Sequence, residues 1–273
     1  MANTILITGA STGIGKATAK LFQERDWNVV ATMRTPESEE DLTTLDNVLV
    51  TRLDVLDRSS IAESVERGIE RFGKIDVLLN NAGYGAYGPL EAFPMDRIRR
   101  QFDVNVIGLL AVTKEILPHF RQQRGGIVIN VSSVGGKITF PLGTLYHGTK
   151  FAVEGISEAL NFELEQFGCR VKIVEPGFIR TDFAGRSFDF VNDESMIDYQ
   201  ELVGRLFQSI EGFMANASEP SVVAEVVYQA ATDGTGQLRY TAGEDARQIV
   251  EARRSLSDDE FLQDIKAQFG LET

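Results

Sequence analysis

The sequence predicts an α/β protein built as a single-domain, doubly wound parallel sheet with helices on both faces. Short runs rich in Val, Ile and Leu alternate with helical patterns, and their continuous apolar character suits strands that are covered on both faces. No internal repeat, low-complexity tract or Pro/Gly linker marks a second domain. The 273 residues, 43% of them hydrophobic, suffice for one large core.

Each apolar run is followed by a helical stretch, and right-handed crossovers between such units give a parallel sheet. The predicted strands are 4–8, 28–32, 48–53, 77–80, 127–132, 171–175 and 238–240. The predicted helices are 14–26, 59–72, 96–121, 147–167 and 219–231. Residues 1–273 are therefore expected to form one domain.

Two segments depart from this alternation. Residues from about 183 to 217 form an insertion rich in aromatic and acidic side chains. The segment from about 257 to 269 has the pattern of a capped amphipathic helix, because Ser257 and Glu260 have capping-box spacing. Its apolar residues repeat every fourth position, at Phe261, Ile265 and Phe269. Such a stripe packs either on its own subunit or on a partner chain.

Charge and cysteine content exclude several classes of protein. Lys and Arg number 27 against 40 Asp and Glu, a net charge of −13, which argues against binding to nucleic acid or to an anionic membrane. Cys169 is the only cysteine, so no internal disulfide exists and a reducing compartment is expected. No signal-peptide pattern and no apolar run near 18 residues occurs, which predicts a cytoplasmic protein. With only two histidines and no Cys/His cluster, we expect no metal site.

A glycine-rich turn follows the first apolar run and is typical of a dinucleotide site. Glycines at positions 9, 13 and 15 remove side chains where the backbone approaches a pyrophosphate. The free N–H groups and the dipole of the helix from about residue 14 then favour the anion. The order G-x-x-x-G-x-G stands between a strand and a helix, as such a site requires. The turn offers Gly9, Ser11, Thr12, Gly13, Ile14 and Gly15 as cofactor contacts.

Tyr146 and Lys150 lie four residues apart, so they share one face of a helix, and Ser133 stands thirteen residues upstream of the tyrosine. A lysine ammonium near a phenol favours the phenolate. At roughly 4.5 Å and an effective dielectric of about 20, the attraction is roughly 3.7 kcal/mol, or about 2.7 pKa units. The spacing therefore predicts a lowered tyrosine pKa and an acid–base catalyst near working pH.

These motifs together resemble the short-chain dehydrogenase/reductase family, whose fold is Rossmann-like. The segment Thr8 to Gly15 is similar to the family's cofactor turn, and Asn80-Asn81-Ala82-Gly83 to its Asn-Asn-Ala-Gly segment. The likeness covers residues 3 to about 185. Asn105 matches the family's helix asparagine, and Ser133, Tyr146 and Lys150 match its active-site triad.

The resemblance implies a role for each of these polar residues. Tyr146 is the general acid in carbonyl reduction and the general base in alcohol oxidation. Lys150 lowers the tyrosine pKa and hydrogen-bonds the nicotinamide ribose, and Ser133 donates to the substrate oxygen. Ser132 is the rival to Ser133 by adjacency, but the thirteen-residue spacing favours Ser133. Asn105 is assigned to a proton-relay water, while a purely structural helix role, including distortion of the backbone, stays open.

Further cofactor contacts come from the same resemblance. Asp54 is similar to the residue that contacts the adenine amine, and Val55 offers backbone groups; a turn cap is the alternative for Asp54. The segment Asn81, Ala82 and Gly83 is expected beside the adenosine ribose, or forms an ordinary Asn/Gly turn. The loop with Pro176, Gly177, Ile179 and Thr181 is similar to the family's nicotinamide-side loop.

The end of the second strand predicts the cofactor. An enzyme that selects NAD usually places an acid there to bind the ribose 2′-hydroxyl, but no acid occurs from Trp27 to Pro36. Arg34 can pair with a 2′-phosphate through its guanidinium, although a solvated surface arginine is the alternative. Against NADP, Thr12 stands where many NADP-linked members of the family carry a basic residue. We predict that NADP(H) is preferred and that NAD(H) is possible.

The insertion predicts the substrate. Its aromatic and Met side chains are typical of a pocket for a hydrophobic ketone, aldehyde or secondary alcohol, although simple core packing would use the same residues. The set is Phe183, Phe188, Phe190, Met196, Tyr199, Phe207, Phe213 and Met214.

His147 is expected to face away from the site. In the resembling family the helices at 96–121 and 147–167 form a dimer interface, so we expect a homodimer or homotetramer.

Two other functions stay open at this point. One is a regulatory protein that senses NADP(H) on the same fold without turnover, since fold does not imply function. The other is a relative of epimerase or dehydratase type, which shares the tyrosine and lysine. The presence of Asn105, Ser133, Tyr146 and Lys150 together favours an oxidoreductase over the regulator.

Overall fold

The computed structural model describes residues 2–181 and 187–271, and its centre is a seven-stranded parallel sheet. The seven strands are β1 Thr4–Thr8, β2 Asn28–Met33, β3 Val48–Arg52, β4 Val77–Asn80, β6 Gly126–Val131, β7 Cys169–Pro176 and β9 Arg239–Ala242. Their order is β3-β2-β1-β4-β6-β7-β9. The chain reverses direction across the sheet between β1 and β4, the place where doubly wound sheets bind ligands. Two short strands, β5 Gly85–Tyr87 and β8 Phe188–Phe190, form a second parallel pair above it.

Helices cover both faces of the sheet, which confirms the predicted fold class. The described helices are α1 Gly13–Glu24, α2 Arg58–Phe72, α3 Met95–Phe102, α4 Leu109–Gln123, α5 Thr144–Glu165, α6 Ile197–Ala215, α7 Pro220–Thr232, α8 Glu244–Ser255 and α9 Asp258–Gln268. One apolar core joins α1 and α7 to the sheet, and a second joins α2, α4 and α5 to its other face.

The strands divide their side chains between these two cores by strict alternation. In β1, Ile5 and Ile7 enter the core under α1 and α7, whereas Leu6 enters the opposite one. Val29 and Val30 of β2 split in the same way. Because both faces are buried, every second position is apolar on each face, and the strand becomes the continuous apolar run seen in the sequence.

The helix predicted at 96–121 is interrupted. Between α3 and α4, residues Asp103–Gly108 form one wide π turn. Asn105 lies in that turn, with its Oδ1 accepting from the Tyr84 N–H at 3.0 Å and its Nδ2 donating to the Tyr84 carbonyl at 2.8 Å. Its Nδ2 also donates to the Thr149 Oγ1 at 3.1 Å. The π turn lets the buried amide bond a neighbouring loop, as single-turn π bulges do at functional sites.

The C-terminal part holds two helices that the sequence analysis did not predict: α6 lies in the insertion, and α8 directly follows β9. At the start of α9 the capping box of Ser257 and Glu260 is present. Its apolar stripe packs on its own chain, in a cluster with Tyr87, Ile138 and Leu206. Across residues 2–181 and 187–271, no helix combines the length and the apolar character needed to cross a membrane.

Candidate active site

A cavity of ≈ 840 Å³ opens at the carboxyl ends of the central strands and gathers most of the predicted site residues. Those that line it are Gly9, Ser11, Thr12, Gly13, Ile14, Arg34, Asp54, Val55, Asn81, Ala82, Gly83, Ser133, Tyr146, Lys150, Pro176, Gly177, Ile179 and Thr181. Two predicted residues, Gly15 and Asn105, do not line it. The cavity is large enough for a dinucleotide and a small substrate side by side.

The glycine turn forms the floor of one end of the cavity. Gly9 and Gly13 have φ of 70° and 54°, in the left-handed region that glycine adopts at little cost. Asn81 holds the turn, because its Nδ2 donates to the carbonyls of Thr8 and Gly9 at 2.9 and 3.0 Å. Behind the turn, a Cβ at Gly15 would lie 2.2 Å from the Gly9 carbonyl oxygen. Gly15 thus serves close packing of α1 on the turn, and the resulting cradle of backbone fits a pyrophosphate.

Arg34 and the turn that contains Asp54 lie at the outer end of this cavity. Arg34 follows β2 directly, is exposed, and makes no ion pair with any described residue. Asp54 accepts a hydrogen bond from the Leu56 N–H on Oδ1 at 3.0 Å, so it caps its own turn as well as lining the cavity. Both interpretations that the sequence left open for Asp54 are therefore compatible with its position.

Ser133, Tyr146 and Lys150 converge at the inner end. The Tyr146 hydroxyl is hydrogen-bonded to Ser133, whose Oγ accepts from the Gly135 N–H at 3.0 Å. The Lys150 Nζ donates to the Val131 carbonyl at 2.9 Å and lies 5.7 Å from the centre of the Tyr146 ring. Ser132 is also buried at the cavity, but its Oγ has no hydrogen-bond partner among the described residues. The hydrogen bond therefore favours Ser133 over Ser132.

The prediction that Lys150 lowers the tyrosine pKa is wrong for this arrangement. Burial raises the pKa of Tyr146 above its usual range, and the hydrogen bond from Ser133 offsets only part of that rise. Burial also lowers the pKa of Lys150 to about 8, although the charge of Glu154 acts against it. The simple Coulomb argument omitted the cost of burying both charged forms.

Asn105 lies one layer behind these residues. Its hydrogen bonds to the backbone of Tyr84 fix the segment that follows Gly83, and its Oδ1 would be 3.1 Å from a Cβ at Gly83. These contacts fit a structural role, and the proton-relay role of Asn105 stays a prediction.

His147 corrects a second expectation, because it lines the cavity and is buried. Its Nε2 accepts from the Phe140 N–H at 2.9 Å, so the ring proton stands on Nδ1 and is donated to the Gly135 carbonyl, also at 2.9 Å. Burial lowers the pKa of His147 to about 4, which keeps the ring neutral. The neutral imidazole ties the loop before α5 to the segment after Ser133.

Aromatic side chains close the far side of the cavity. Tyr87 lies beside Tyr146 with ring centres 5.5 Å apart, and Phe178 stacks on Phe213 at 4.6 Å. From the predicted aromatic and Met set, Phe188, Phe207, Phe213 and Met214 line the cavity, Phe190, Met196 and Tyr199 do not, and Phe183 lies outside the described residues.

Several further aromatic side chains that line the cavity escaped the sequence argument. Tyr87 sits on the short strand β5, and Phe140 and Phe178 sit on loops, where no periodic pattern marks a buried side chain. Phe269 follows α9 and lies 5.6 Å from Phe140, ring centre to ring centre. Its place in the amphipathic stripe predicted burial, but nothing in the sequence indicated that the stripe ends at this cavity.

The described residues hold no group of three or more His, Cys, Asp or Glu side chains arranged to bind a metal ion. The cavity itself offers a phenol, a hydroxyl and an ammonium beside a backbone cradle for an anion. Such a set can pass a proton to or from an oxygen and can stabilise charge that develops on it.

Comparison with known proteins agrees with this geometry. The family model described as short chain dehydrogenase matches residues 3–192. An uncharacterised oxidoreductase of Schizosaccharomyces pombe is 46% identical over 244 residues, covering 88% of this chain and 100% of the relative. A short-chain dehydrogenase structure from Streptomyces avermitilis superposes with a TM-score of 0.84 at 31% identity, covering 99% of this chain and 98% of that one. The structure of ElxO with NADP bound gives a TM-score of 0.73 at 29% identity, covering 88% of this chain and 98% of that one.

Proposed function

Because the chain belongs to the short-chain dehydrogenase family and is an oxidoreductase, we propose that it transfers hydride between NADP(H) and a hydrophobic ketone, aldehyde or secondary alcohol. The observation that supports this proposal is the hydrogen-bonded pair of Tyr146 and Ser133, with Lys150 beside it, in the same cavity as the glycine cradle. Bound NADPH would supply the hydride, and this chain's residues handle the proton and the charge.

In the reducing direction Tyr146 gives its hydroxyl proton to the carbonyl oxygen as hydride reaches the carbonyl carbon. Ser133 hydrogen-bonds the same oxygen where negative charge grows. The raised pKa of Tyr146 keeps the phenol protonated near neutral pH, which is the form that reduction needs. Alcohol oxidation needs the phenolate, so we expect it to be favoured only at higher pH.

The remaining predicted residues hold the cofactor. The cradle at Gly9 to Gly13 fits the pyrophosphate, and loop residues Ile179 and Thr181 lie where the nicotinamide carboxamide is expected. Lys150 is tied to the Val131 carbonyl and is proposed to bind the nicotinamide ribose. Asn81, Ala82 and Gly83 are proposed to line the adenosine side, with Asp54 and Val55 at the adenine.

NADP(H) is proposed as the preferred cofactor and NAD(H) as the weaker one. Arg34 stands at the cavity without an ion pair in the described residues, and no acid competes from Trp27 to Pro36. A guanidinium in that position suits a 2′-phosphate. Binding titrations of the purified protein compare the two reduced cofactors directly; tighter binding of NADH than of NADPH contradicts this preference.

An apolar surface on α3 to α5 supports the expectation of a homodimer or homotetramer. Phe102, Ile107, Phe151 and Phe162 are large, apolar and exposed there. A monomeric mass in sedimentation equilibrium would contradict this part of the proposal. We also propose a cytoplasmic location, because the single cysteine is free and buried. The distribution of a fluorescent fusion protein in cells tests this location.

The experiment for the central proposal measures NADPH consumption with a panel of hydrophobic ketones, aldehydes and quinones. Tyr146→Phe removes the proton donor and is expected to lower kcat by about 100-fold or more while NADPH still binds. Tyr87→Phe is the matched control, because it removes a hydroxyl from the neighbouring ring without touching the proposed donor. Full activity in Tyr146→Phe, or tight NADPH binding without turnover of any substrate in the wild type, contradicts the proposal; the latter supports the NADP(H)-sensing regulator.

A further inference from the structure

A carboxylate from the C-terminal part of the chain lies directly against the loop that follows β7. Asp245 is in the first turn of α8, just after β9, and its Oδ2 accepts a hydrogen bond from the Phe178 N–H at 2.7 Å. This residue lies outside the segment 3–192 that the family model matches, and no motif in the sequence indicated it. Its partner loop contains Gly177, Ile179 and Thr181.

Two glycines leave room for this carboxylate. A Cβ at Gly177 would lie 2.1 Å from the Asp245 Oδ2, and a Cβ at Gly243 would lie 2.5 Å from its Oδ1. Atoms at such distances cannot coexist, so any side chain at Gly177 would displace either the loop or the carboxylate. The Gly177 N–H donates to the Ala242 carbonyl at 3.1 Å, which ties the loop to β9 as well.

Main-chain bonds hold the middle of the loop, where the Arg180 side chain also pairs with Glu219. The Ser218 N–H donates to the Phe178 carbonyl at 2.9 Å, and the Arg180 N–H donates to the Ser218 carbonyl at 2.8 Å. Asp245 is therefore the side chain that fixes the start of the loop, through a charge-assisted hydrogen bond to a backbone N–H. Its position in the first turn of α8 also suits a negative charge, because of the helix dipole.

We propose that Asp245 is a positioning residue for the nicotinamide end of the cofactor. By holding Gly177 and Phe178 in place, it sets the position of the Ile179 backbone and the Thr181 side chain on the cavity wall. It also holds the Phe178 ring in its stack with Phe213 on the cavity wall. The inference rests on the proposed function, since it assumes that this loop faces the nicotinamide.

The test compares binding of NADPH with binding of adenosine 2′,5′-bisphosphate, which lacks the nicotinamide half. Asp245→Ala is expected to weaken NADPH binding about tenfold, equivalent to about 1.4 kcal/mol, and to leave binding of the bisphosphate unchanged. Asp245→Asn keeps an oxygen acceptor for the Phe178 N–H and is expected to stay within about threefold of the wild type. Glu244→Ala is the matched control, since Glu244 is exposed in the same turn and pairs with Arg247 instead.

The outcomes separate this inference from the proposed function. If the wild type binds neither NADPH nor NADH, the proposed function itself fails. If the wild type binds NADPH but Asp245→Ala binds it equally well, or loses both ligands to the same extent, the positioning role is overturned. Gly177→Ala approaches the same contact from the loop side, so it is expected to reproduce the selective loss even where Asp245→Ala does not fold.

Discussion

The two ends of the cavity differ in the groups that form their surface. At the cofactor end, backbone groups and small residues form the surface, and the Asn81 side chain bonds the carbonyls beneath it. At the substrate end, the surface consists of aromatic rings that come from two short strands, two loops, α6 and the end of α9. The first end depends on the absence of side chains, and the second on their mutual packing. A mutation therefore acts at the first end by adding atoms and at the second by removing them.

Gly15→Ala is the most damaging single change expected at the cofactor end. Its methyl group would lie 2.2 Å from the Gly9 carbonyl oxygen, so the turn must shift. We expect NADPH binding to weaken by about 100-fold, or about 2.8 kcal/mol, in fluorescence titrations. Gly155→Ala is the control, because its Cβ in α5 would contact nothing within 4 Å. Unchanged NADPH affinity in Gly15→Ala would remove the argument that this end is fixed by close backbone approach.

The same contrast explains what the sequence could predict. The cofactor end and the strands could be predicted because local patterns mark them, namely the glycine spacing, the apolar runs and the spacing of Tyr146 and Lys150. The structure brings these site residues together. The substrate end rests on contacts between distant segments, so Tyr87, His147 and Phe269 gave no signal of their place. The tyrosine pKa was predicted in the wrong direction for a related reason: burial is a property of the folded chain, and the spacing of two residues does not contain it.

Two buried ionisable groups add to this comparison: His147 lines the cavity, and Glu175 directly precedes Pro176, which also lines it. Burial and then the charge of Glu154 raise the pKa of Glu175 to about 7, against the opposing charges of Lys137, Arg239 and Arg254. The folded state therefore keeps a proton that the unfolded chain releases near pH 4.5. The contribution of Glu175 to the free energy of unfolding is therefore fully present below pH 4.5 and is lost as the pH rises through about 7. His147 acts in reverse, losing stability as the pH falls from 6.5 to about 4.

Glu175→Gln removes the ionisation of Glu175 and leaves His147 in place. From pH 5 to pH 8, its free energy of unfolding is expected to rise relative to wild type by an amount on the order of 2 kcal/mol. Urea denaturation at the two pH values measures this difference, from which the contribution of His147 cancels. Glu158→Gln is the control, because Glu158 binds the same Arg239 but is half exposed. A stability difference that does not change with pH would show that Glu175 stays ionised in the folded protein.

The smallest effect is expected from a substitution that shortens one aromatic side chain of the substrate end without removing it. Phe269→Leu shortens a ring that lines the cavity, and Phe261→Leu makes the same change in the same apolar cluster, away from the cavity. Both should destabilise the fold by similar amounts, since both side chains are buried. Only Phe269→Leu is expected to change selectivity, raising kcat/KM for bulky relative to small ketones about fivefold, or about 1 kcal/mol. An equal shift in both variants would mean that the cluster acts through general loosening, and the substrate wall could not be assigned to particular rings.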